Sequence, residues 1–292
     1  MPPSIGVGEA LLALARRGQN QIRDTLCHEH RTGAYPMKTL RTGALIAASM
    51  IATLLATDAF AQAKPVVAHN VVLIHGAWAD GSSWGAVIAR LQAAGLHVTA
   101  VQNPLTSLAD SVAATKQALA LQDGPTVLVA HSWGGTVLSE TGVDPKVTAL
   151  VYVAARAPDA GEDFVALSAK FPTMPVRAGV QNHDGITTLS EDAFLKYFAN
   201  GVEPAKAKEL YAEQGPTAAS IFAGKTTVAA WHSKPSFYAV SKEDMTISPD
   251  LERFLAKRMN ATTVELDAGH LSLVSKSKEV ADLILAAAGQ GK

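Results

Sequence analysis

The sequence is poor in cysteine, in excess charge and in long hydrophobic runs, and each shortage excludes a class of protein. Cys27 is the only cysteine among 292 residues, so no disulfide can form within the chain. The 25 basic and 26 acidic side chains nearly cancel, which argues against nucleic acid as a partner. The apolar stretch at 43–55 is shorter than the roughly 20 residues that span a bilayer. A composition of 48% hydrophobic residues instead predicts a globular protein stabilised by its core.

Motifs for metals and cofactors are also missing. Cys27, His28 and His30 lie close together in sequence, but no second ligand pair follows at zinc-like spacing. The chain contains no P-loop and no dinucleotide-binding fingerprint, and its terminal GQGK lacks the strand and helix that a phosphate-binding loop needs. We therefore expect neither a metal site nor a bound cofactor.

Residues 37–61 have the pattern of a secretory signal peptide. A short basic head at 37–41 is followed by the apolar stretch and then by the small-x-small triplet AFA at 59–61. This order predicts cleavage before Gln62, and therefore a periplasmic or secreted protein that keeps no stable membrane anchor. Residues 1–36 precede a complete signal, which favours an over-extended reading frame for that segment.

From residue 70 onward, short apolar runs alternate with segments of helical periodicity. The runs are continuously apolar, as is typical of parallel strands covered on both faces. The segments WGAVIARLQAAG, LADSVAATKQALALQ and SKEVADLILAAAG repeat apolar residues every three or four positions. This order predicts one α/β domain over 62–292, with a mostly parallel sheet and helices on both faces. The six predicted strands lie at 70–76, 96–104, 126–132, 147–155, 236–244 and 262–270.

Residues 157–234 break this alternation. They contain no run that predicts a strand, but SEDAFLKYFANG and PAKAKELYAEQG have helical spacing. An insertion of this length is too long for a simple connection, and we interpret it as a helical cap over one edge of the sheet. The cap also predicts a mostly apolar pocket, although none of its aromatic residues is assigned to the substrate. The side chains that the cap offers for this pocket include the segment FPTMPV at 171–176 and Phe194, Tyr197, Phe198, Tyr211, Phe222 and Trp231.

Ser132 lies where the buried strand of TVLVAHSWGG should end. A turn from strand to helix in so few residues needs small neighbours, and Ala130, Gly134 and Gly135 supply them. Such a bend exposes the hydroxyl and directs the N–H groups of the next helix toward it, as in the G-x-S-x-G motif of nucleophilic serines. Alanine replaces the first glycine of that motif. The alternative is a buried serine that caps a helix.

A nucleophilic serine needs a base and an orienting carboxylate. His270 follows the last predicted strand, and it completes the chain order nucleophile, acid, histidine. Glu243 and Asp244 follow the preceding strand and are both candidates for the acid. We favour Asp244, because adjacent side chains point in opposite directions and a short side chain suits a fixed hydrogen bond.

Two backbone N–H groups are candidates for stabilising a developing oxyanion. One is that of Trp133, directly after the serine. The other is that of Ala77, in the loop after the first strand, where Gly76 allows the backbone to approach closely. We expect His75 and His131 to brace this region through hydrogen bonds rather than to act as bases.

The segments VVLIHGAW, VAHSWGG, SKEDMTISPDLERFLAKRM and ELDAGHLSLVSKSKEVADLI, in this order, resemble the α/β-hydrolase superfamily. The likeness is to its small-capped branch, which holds plant methylesterases, hydroxynitrile lyases and related bacterial esterases. It extends from about residue 70 to the C-terminus and is weakest across the cap. The resemblance implies a catalytic triad of Ser132, Asp244 and His270, with Ala77 and Trp133 as oxyanion donors.

Three positions of this sequence differ from those of related enzymes that catalyse other reactions. The lyases of the branch resemble one another in a threonine at the position of Gly76 and a lysine at that of Leu271, and related dehalogenases and epoxide hydrolases have aspartate at that of Ser132. These differences favour hydrolysis by a serine nucleophile. Together with the signal peptide predicted at 37–61, they lead us to expect an exported serine hydrolase that cleaves a small-molecule carboxylic ester through an acyl-enzyme. Two alternatives stay open: a cofactor-free perhydrolase with the same triad, and a non-catalytic ligand-binding protein of this fold.

Overall fold

The computed structural model describes residues 67–291. The predicted signal peptide at 37–61, the segment 1–36 and the Cys27, His28 and His30 cluster lie outside the described residues. Between residues 67 and 291, none of the helices combines the length and the apolar character that crossing a bilayer requires.

Strands and helices alternate along most of the described chain. The strands are β1 (Asn70–Ile74), β2 (His97–Val101), β3 (Thr126–His131), β4 (Val147–Val153), β5 (Val180–His183), β6 (Ile186–Leu189), β7 (Thr217–Ala218), β8 (Ser236–Ser241) and β9 (Thr262–Leu266). The helices are α1 (Gly85–Ala93), α2 (Leu108–Ala120), α3 (Gly134–Thr141), α4 (Phe164–Ser168), α5 (Glu191–Ala193), α6 (Pro204–Ala212), α7 (Pro249–Arg258), α8 (Ser272–Ser275) and α9 (Ser277–Ala287).

The six strands predicted from the sequence form one sheet, in the order β2-β1-β3-β4-β8-β9. Every neighbouring pair is parallel. Strands β1 and β3 are buried along their whole length, whereas the edge strands β2 and β9 are partly exposed. Since successive side chains of a strand point to opposite faces, this burial means that both faces of the sheet are covered. The predicted α/β fold is confirmed.

Short-range signals set the ends of several helices. The Ser107 hydroxyl accepts a hydrogen bond from the N–H of Asp110 at 3.0 Å and so caps α2. Helix α1 is followed by Gly95, whose φ of +85° favours glycine. Helix α7 starts at Pro249, where a missing N–H is tolerated.

Each core strand ends before the boundary predicted from sequence. The apolar runs continue, but their last residues leave the hydrogen-bonded ladder and form loops at the carboxyl edge of the sheet. Ser132 follows β3, Asp244 follows β8 and His270 follows β9 in this way. Because parallel strands end at the same edge, the three side chains lie on one side of the molecule.

The insertion at 157–234 is only partly helical, which corrects the prediction. The segments expected to be helical form α5, a π-helix at Phe194–Phe198, and α6. However, β5, β6 and β7 form a small antiparallel sheet within the cap. Asp184 and Gly185 join β5 to β6 with φ values of 52° and 87°, the two left-handed residues of a tight hairpin. The cap is therefore a mixed α/β structure.

Two helical glycines differ in the space around them, which provides a test of stability. A Cβ on Gly135, in α3, would overlap the carbonyl oxygen of Arg156, whereas one on Gly85, in α1, would meet nothing within 4 Å. We expect Gly135→Ala to lower the free energy of unfolding by about 1–3 kcal/mol through overpacking. Gly85→Ala is the matched control and should be neutral or slightly stabilising, because alanine favours helix. Urea unfolding measures both, and equal stability of the two variants would contradict this packing.

Candidate active site

Ser132 joins β3 to α3 with its backbone in the left-handed region, at a φ of 55°. This conformation is strained for a residue with a side chain, so the surroundings must hold it. The Ser132 N–H donates to the carbonyl of Val153 at 3.2 Å, and the Ser132 carbonyl accepts from the N–H groups of Gly135 at 3.1 Å and Arg156 at 2.9 Å. These three bonds fix the bend, and the hydroxyl faces away from the strand.

Glycines allow the loop after β1 to touch this bend. A Cβ on Gly76 would lie 2.6 Å from the Cβ of Ser132, and a Cβ on Gly134 would lie 2.7 Å from the carbonyl oxygen of His75. Neither distance is tolerated between real atoms, so both positions need glycine. The close approach brings the backbone of Ala77 beside the serine hydroxyl.

The side chains of Ser132, His270 and Asp244 form a continuous chain of hydrogen bonds. Nδ1–H of His270 donates to Oδ2 of Asp244 at 2.6 Å, which leaves Nε2 to accept from the Ser132 hydroxyl at 2.8 Å. Asp244 Oδ1 accepts from the N–H groups of Thr246 at 2.6 Å and Ile247 at 2.8 Å. All three side chains are buried. The structure thus brings together the three residues that sequence placed far apart.

Of the two adjacent candidate acids, Asp244 is the one that contacts the imidazole. Glu243 is exposed, and its backbone carbonyl accepts a hydrogen bond from Nδ2 of Asn200 at 2.8 Å. Phe198 of the cap packs with its ring centroid 5.1 Å from that of His270, which helps to keep water away from the Asp244–His270 pair.

Two further histidines lie beside this chain of hydrogen bonds. His131 is fully buried with its ring centroid 4.6 Å from that of His270, and its Nε2–H donates to the His270 carbonyl at 3.0 Å. Burial and the neighbouring His270 hold the pKa of His131 well below its usual value. His75 donates from Nδ1 to the Gly76 carbonyl at 2.9 Å and accepts at Nε2 from the N–H of Asn103 at 2.8 Å. Burial lowers its pKa too, and both side chains suit the bracing role expected of them.

The backbone N–H groups of Ala77 and Trp133 are available beside the serine. Among residues 67–291, neither group donates a hydrogen bond, whereas the next N–H, that of Trp78, donates to Oγ1 of Thr217 at 3.1 Å. Ala77, Ser132 and Trp133 line the same cavity. The site therefore has two free donors adjacent to the hydroxyl.

The cavity over Ser132 has a volume of about 390 Å³ and is lined mostly by apolar side chains. Its walls come from the cap, including Phe164, Met174 and Phe222, and from Leu251 of α7. Of the aromatic residues at positions 194, 197, 198, 211, 222 and 231, Phe222 alone lines it. Within the described part of the chain, no three His, Cys, Asp or Glu side chains are grouped to hold a metal ion.

Glu252 is a site residue that the sequence reasoning missed. It lies on α7, is fully buried, and accepts from the N–H of Ser241 through Oε2 at 2.9 Å. Burial, and then the negative charge of Asp244, raise the pKa of Glu252 well above its usual value. A signal was present, because Glu252 follows Leu251 and precedes Leu255 on the apolar face of the helix.

A parallel sheet, a capping insertion and a cavity at the carboxyl edge of the strands are the architecture of an α/β hydrolase. The model of the alpha/beta hydrolase family matches residues 71–283, and the chain belongs to that family. The resemblance noted in the sequence is thereby confirmed.

Named relatives cover most of the described chain. An Arabidopsis thaliana protein named "Putative methylesterase 19" is 27% identical in an alignment of 253 positions, which covers 75% of this chain and 95% of the relative. The crystal structure of polyneuridine aldehyde esterase superposes with a TM-score of 0.66 at 19% identity, over 75% of this chain and 98% of that one. The structure of an extracellular alpha/beta-hydrolase from a Paenibacillus species, described as sharing homology with Tobacco Salicylic Acid Binding Protein 2, superposes with a TM-score of 0.62 at 20% identity. The match covers 75% of this chain and 98% of that one. Both structures share the fold of this chain.

The raised pKa of Glu252 makes stability depend on pH. Between its ordinary pKa of 4.5 and its raised folded pKa, the glutamate binds a proton more tightly in the folded protein than in the unfolded chain. The unfolded state then binds fewer protons, so this residue lowers the free energy of unfolding as pH rises toward the folded pKa. Glutamine cannot ionise, and its carbonyl can still accept from Ser241.

We therefore expect Glu252→Gln to gain stability relative to the wild type as the pH rises above 4.5 toward the raised folded pKa, by at most about 1.4 kcal/mol per pH unit. Urea unfolding at several pH values measures this gain. Glu279→Gln, at an exposed position of α9, is the matched control for loss of a carboxyl. Parallel stability curves for the wild type and Glu252→Gln would contradict a proton held on Glu252.

Proposed function

We propose that the protein hydrolyses a carboxylic ester of a small molecule through an acyl-enzyme formed on Ser132. The observation that carries this proposal is the buried chain of hydrogen bonds from Asp244 through His270 to the serine hydroxyl, with distances of 2.6 and 2.8 Å. Ser132 lines a cavity of about 390 Å³, which can admit a small-molecule ligand. A residue that only capped a helix would need no such base.

The reaction follows from the donors and acceptors at the site. His270 Nε2 takes the hydroxyl proton as Oγ of Ser132 attacks the ester carbonyl, and Asp244 stabilises the imidazolium that forms. The N–H groups of Ala77 and Trp133 bind the tetrahedral oxyanion. His270 then protonates the leaving alcohol. A water molecule, deprotonated by the same imidazole, attacks the acyl-enzyme, and the carboxylic acid leaves with Ser132 restored.

Neighbouring residues favour hydrolysis of an ester over cleavage of a carbon–carbon bond. The residue after His270 is Leu271, which is buried and carries no charge. The loop position that faces the serine is Gly76, which lacks a hydroxyl to bind a second polar group. The Arabidopsis thaliana relative named as a methylesterase supports a small ester as substrate.

Substitution of the proposed triad tests the mechanism. Ser132→Ala removes the nucleophile and should lower kcat for a short-chain p-nitrophenyl ester by about 10³-fold or more. Ser277→Ala, at the start of α9 where the hydroxyl accepts from Nε of Arg90, is the control for loss of a serine. Wild-type turnover in Ser132→Ala would refute the acyl-enzyme.

The two adjacent acids allow a matched comparison. Asp244→Asn should lower kcat by roughly 10⁴-fold, because an amide neither holds the imidazole tautomer nor stabilises its positive charge. Glu243→Gln, one residue away and exposed, should leave kcat unchanged. Steady-state kinetics on both variants measures the difference, and the reverse order would assign the acid to Glu243.

Covalent labelling separates an enzyme from a ligand-binding protein of the same fold. An aryl phosphonate should modify Ser132 in the wild type, since labelling needs an activated hydroxyl, and His270→Ala should prevent it. Mass spectrometry of the labelled peptide measures this. An unlabelled wild-type protein that still binds small esters would favour the non-catalytic alternative.

We also propose that the protein is exported, on the pattern of residues 37–61. The mature chain should begin at Gln62 and be recovered from the periplasm or the medium, as N-terminal sequencing would measure. Ala61→Trp should block cleavage, because the peptidase site needs a small residue, whereas Asp58→Asn should not. A cytoplasmic protein that retains 37–61 would contradict export.

A further inference from the structure

Two arginines lie in the otherwise apolar cavity over Ser132. Arg156 and Arg177 line it, while no Asp, Glu or Lys among residues 67–291 does. Arg156 follows β4, and its backbone N–H donates to the Ser132 carbonyl at 2.9 Å. The positive charge of Arg156 is therefore anchored next to Ser132 through its backbone, and the positive charge of Arg177 comes from the cap.

The Arg156 guanidinium is held by aromatic rings rather than by a carboxylate. It lies 4.9 Å from the ring centroid of Phe164 and 5.3 Å from that of Phe222. Nη1 donates to the Phe222 carbonyl at 3.3 Å, which is its one side-chain hydrogen bond among the described residues. The two rings hold the guanidinium through cation–π contact, and its remaining N–H groups have no protein acceptor among residues 67–291.

Neither cavity arginine has a compensating negative charge in the described part of the chain. Arg253 pairs with Asp250 and Glu265, and Arg258 pairs with Glu162, but Arg156 and Arg177 form no such pair. Burial and the charge of Arg177 lower the pKa of Arg156 to about 10, so its guanidinium stays protonated at neutral pH. Two like charges facing one partly enclosed space cost free energy that a bound anion would offset.

We propose that the substrate is an ester that also carries a carboxylate, bound by Arg156 and attracted by Arg177. The proposal rests on the ester hydrolysis proposed above and names the class of ester. A guanidinium presents two parallel N–H groups to a carboxylate, which makes arginine suited to this recognition. Arg177 is exposed, so it acts through its charge at the entrance of the cavity.

Matched substrates that differ only in charge test the proposal. On the acyl side, mono-p-nitrophenyl glutarate is compared with p-nitrophenyl pentanoate. On the alcohol side, para-acetoxybenzoate is compared with para-acetoxybenzamide. We expect the wild-type enzyme to have a higher kcat/KM for the charged member of at least one pair, and the preferred pair identifies the side that carries the carboxylate.

Variants of Arg156 separate its charge from its packing. Arg156→Met keeps an unbranched side chain between the rings and should lower kcat/KM for the preferred charged ester by about 10- to 100-fold, mainly through KM, while the neutral ester changes little. Arg156→Lys should restore part of the loss.

Arg177→Met should have a smaller effect on kcat/KM for the charged ester, and added salt should reduce that effect. Lys170→Met, an exposed cap position outside the cavity lining, is the control for loss of a positive charge.

The outcomes distinguish this proposal from the proposed hydrolysis. A wild-type preference for the neutral member of both pairs, or an equal loss on charged and neutral esters in Arg156→Met, overturns the carboxylate site and leaves hydrolysis standing. A wild-type enzyme that cleaves none of the four esters overturns hydrolysis.

Binding is measured separately by the thermal shift of the Ser132→Ala protein with glutarate or benzoate. A rise in Tm that disappears when Arg156→Met is added supports the site without reference to turnover. If neither carboxylate raises Tm while the uncharged amides of the same two acids do, the carboxylate site is overturned.

Discussion

The left-handed backbone of Ser132 is the constraint on which the rest of the site depends. A conformation that costs on the order of 1–3 kcal/mol persists only where its surroundings hold it, and here three backbone hydrogen bonds do so. The bend turns the hydroxyl into the cavity, and the N–H of Trp133 has no acceptor within the described part of the chain. It also requires glycine at 76 and 134, because their neighbours approach within contact distance.

The same bend connects the sheet to the cap. The Ser132 carbonyl holds the backbone of Arg156, whose side chain extends into the cavity between two rings of the cap. On the other side, Trp78 donates from its N–H to Thr217 and from its indole to Thr187, which joins the loop of Ala77 to the small antiparallel sheet. The cap therefore shapes the cavity and positions the loop that offers an oxyanion donor.

The sequence contained a signal for the hairpin of the cap and for the burial of Glu252, but it did not contain enough to predict either in full. The hairpin was signalled by Asp184-Gly185, but the polar residues of VQNH do not alternate with apolar ones, so the strand pattern was weak. Glu252 lay on an apolar helix face. Its raised pKa depends on burial and on the charge of Asp244, and no local pattern encodes either.

The sequence by itself determined the order of strands and helices, the bend at Ser132 with its small neighbours, and the positions of His270 and the candidate acids at strand ends. These features follow from short-range sterics and from hydrophobic periodicity, which act within a few residues along the chain. Only the tertiary structure decided that Asp244 rather than Glu243 meets the imidazole, and that Arg156 faces the cavity without a carboxylate. Both depend on distances between segments remote in sequence, which packing sets.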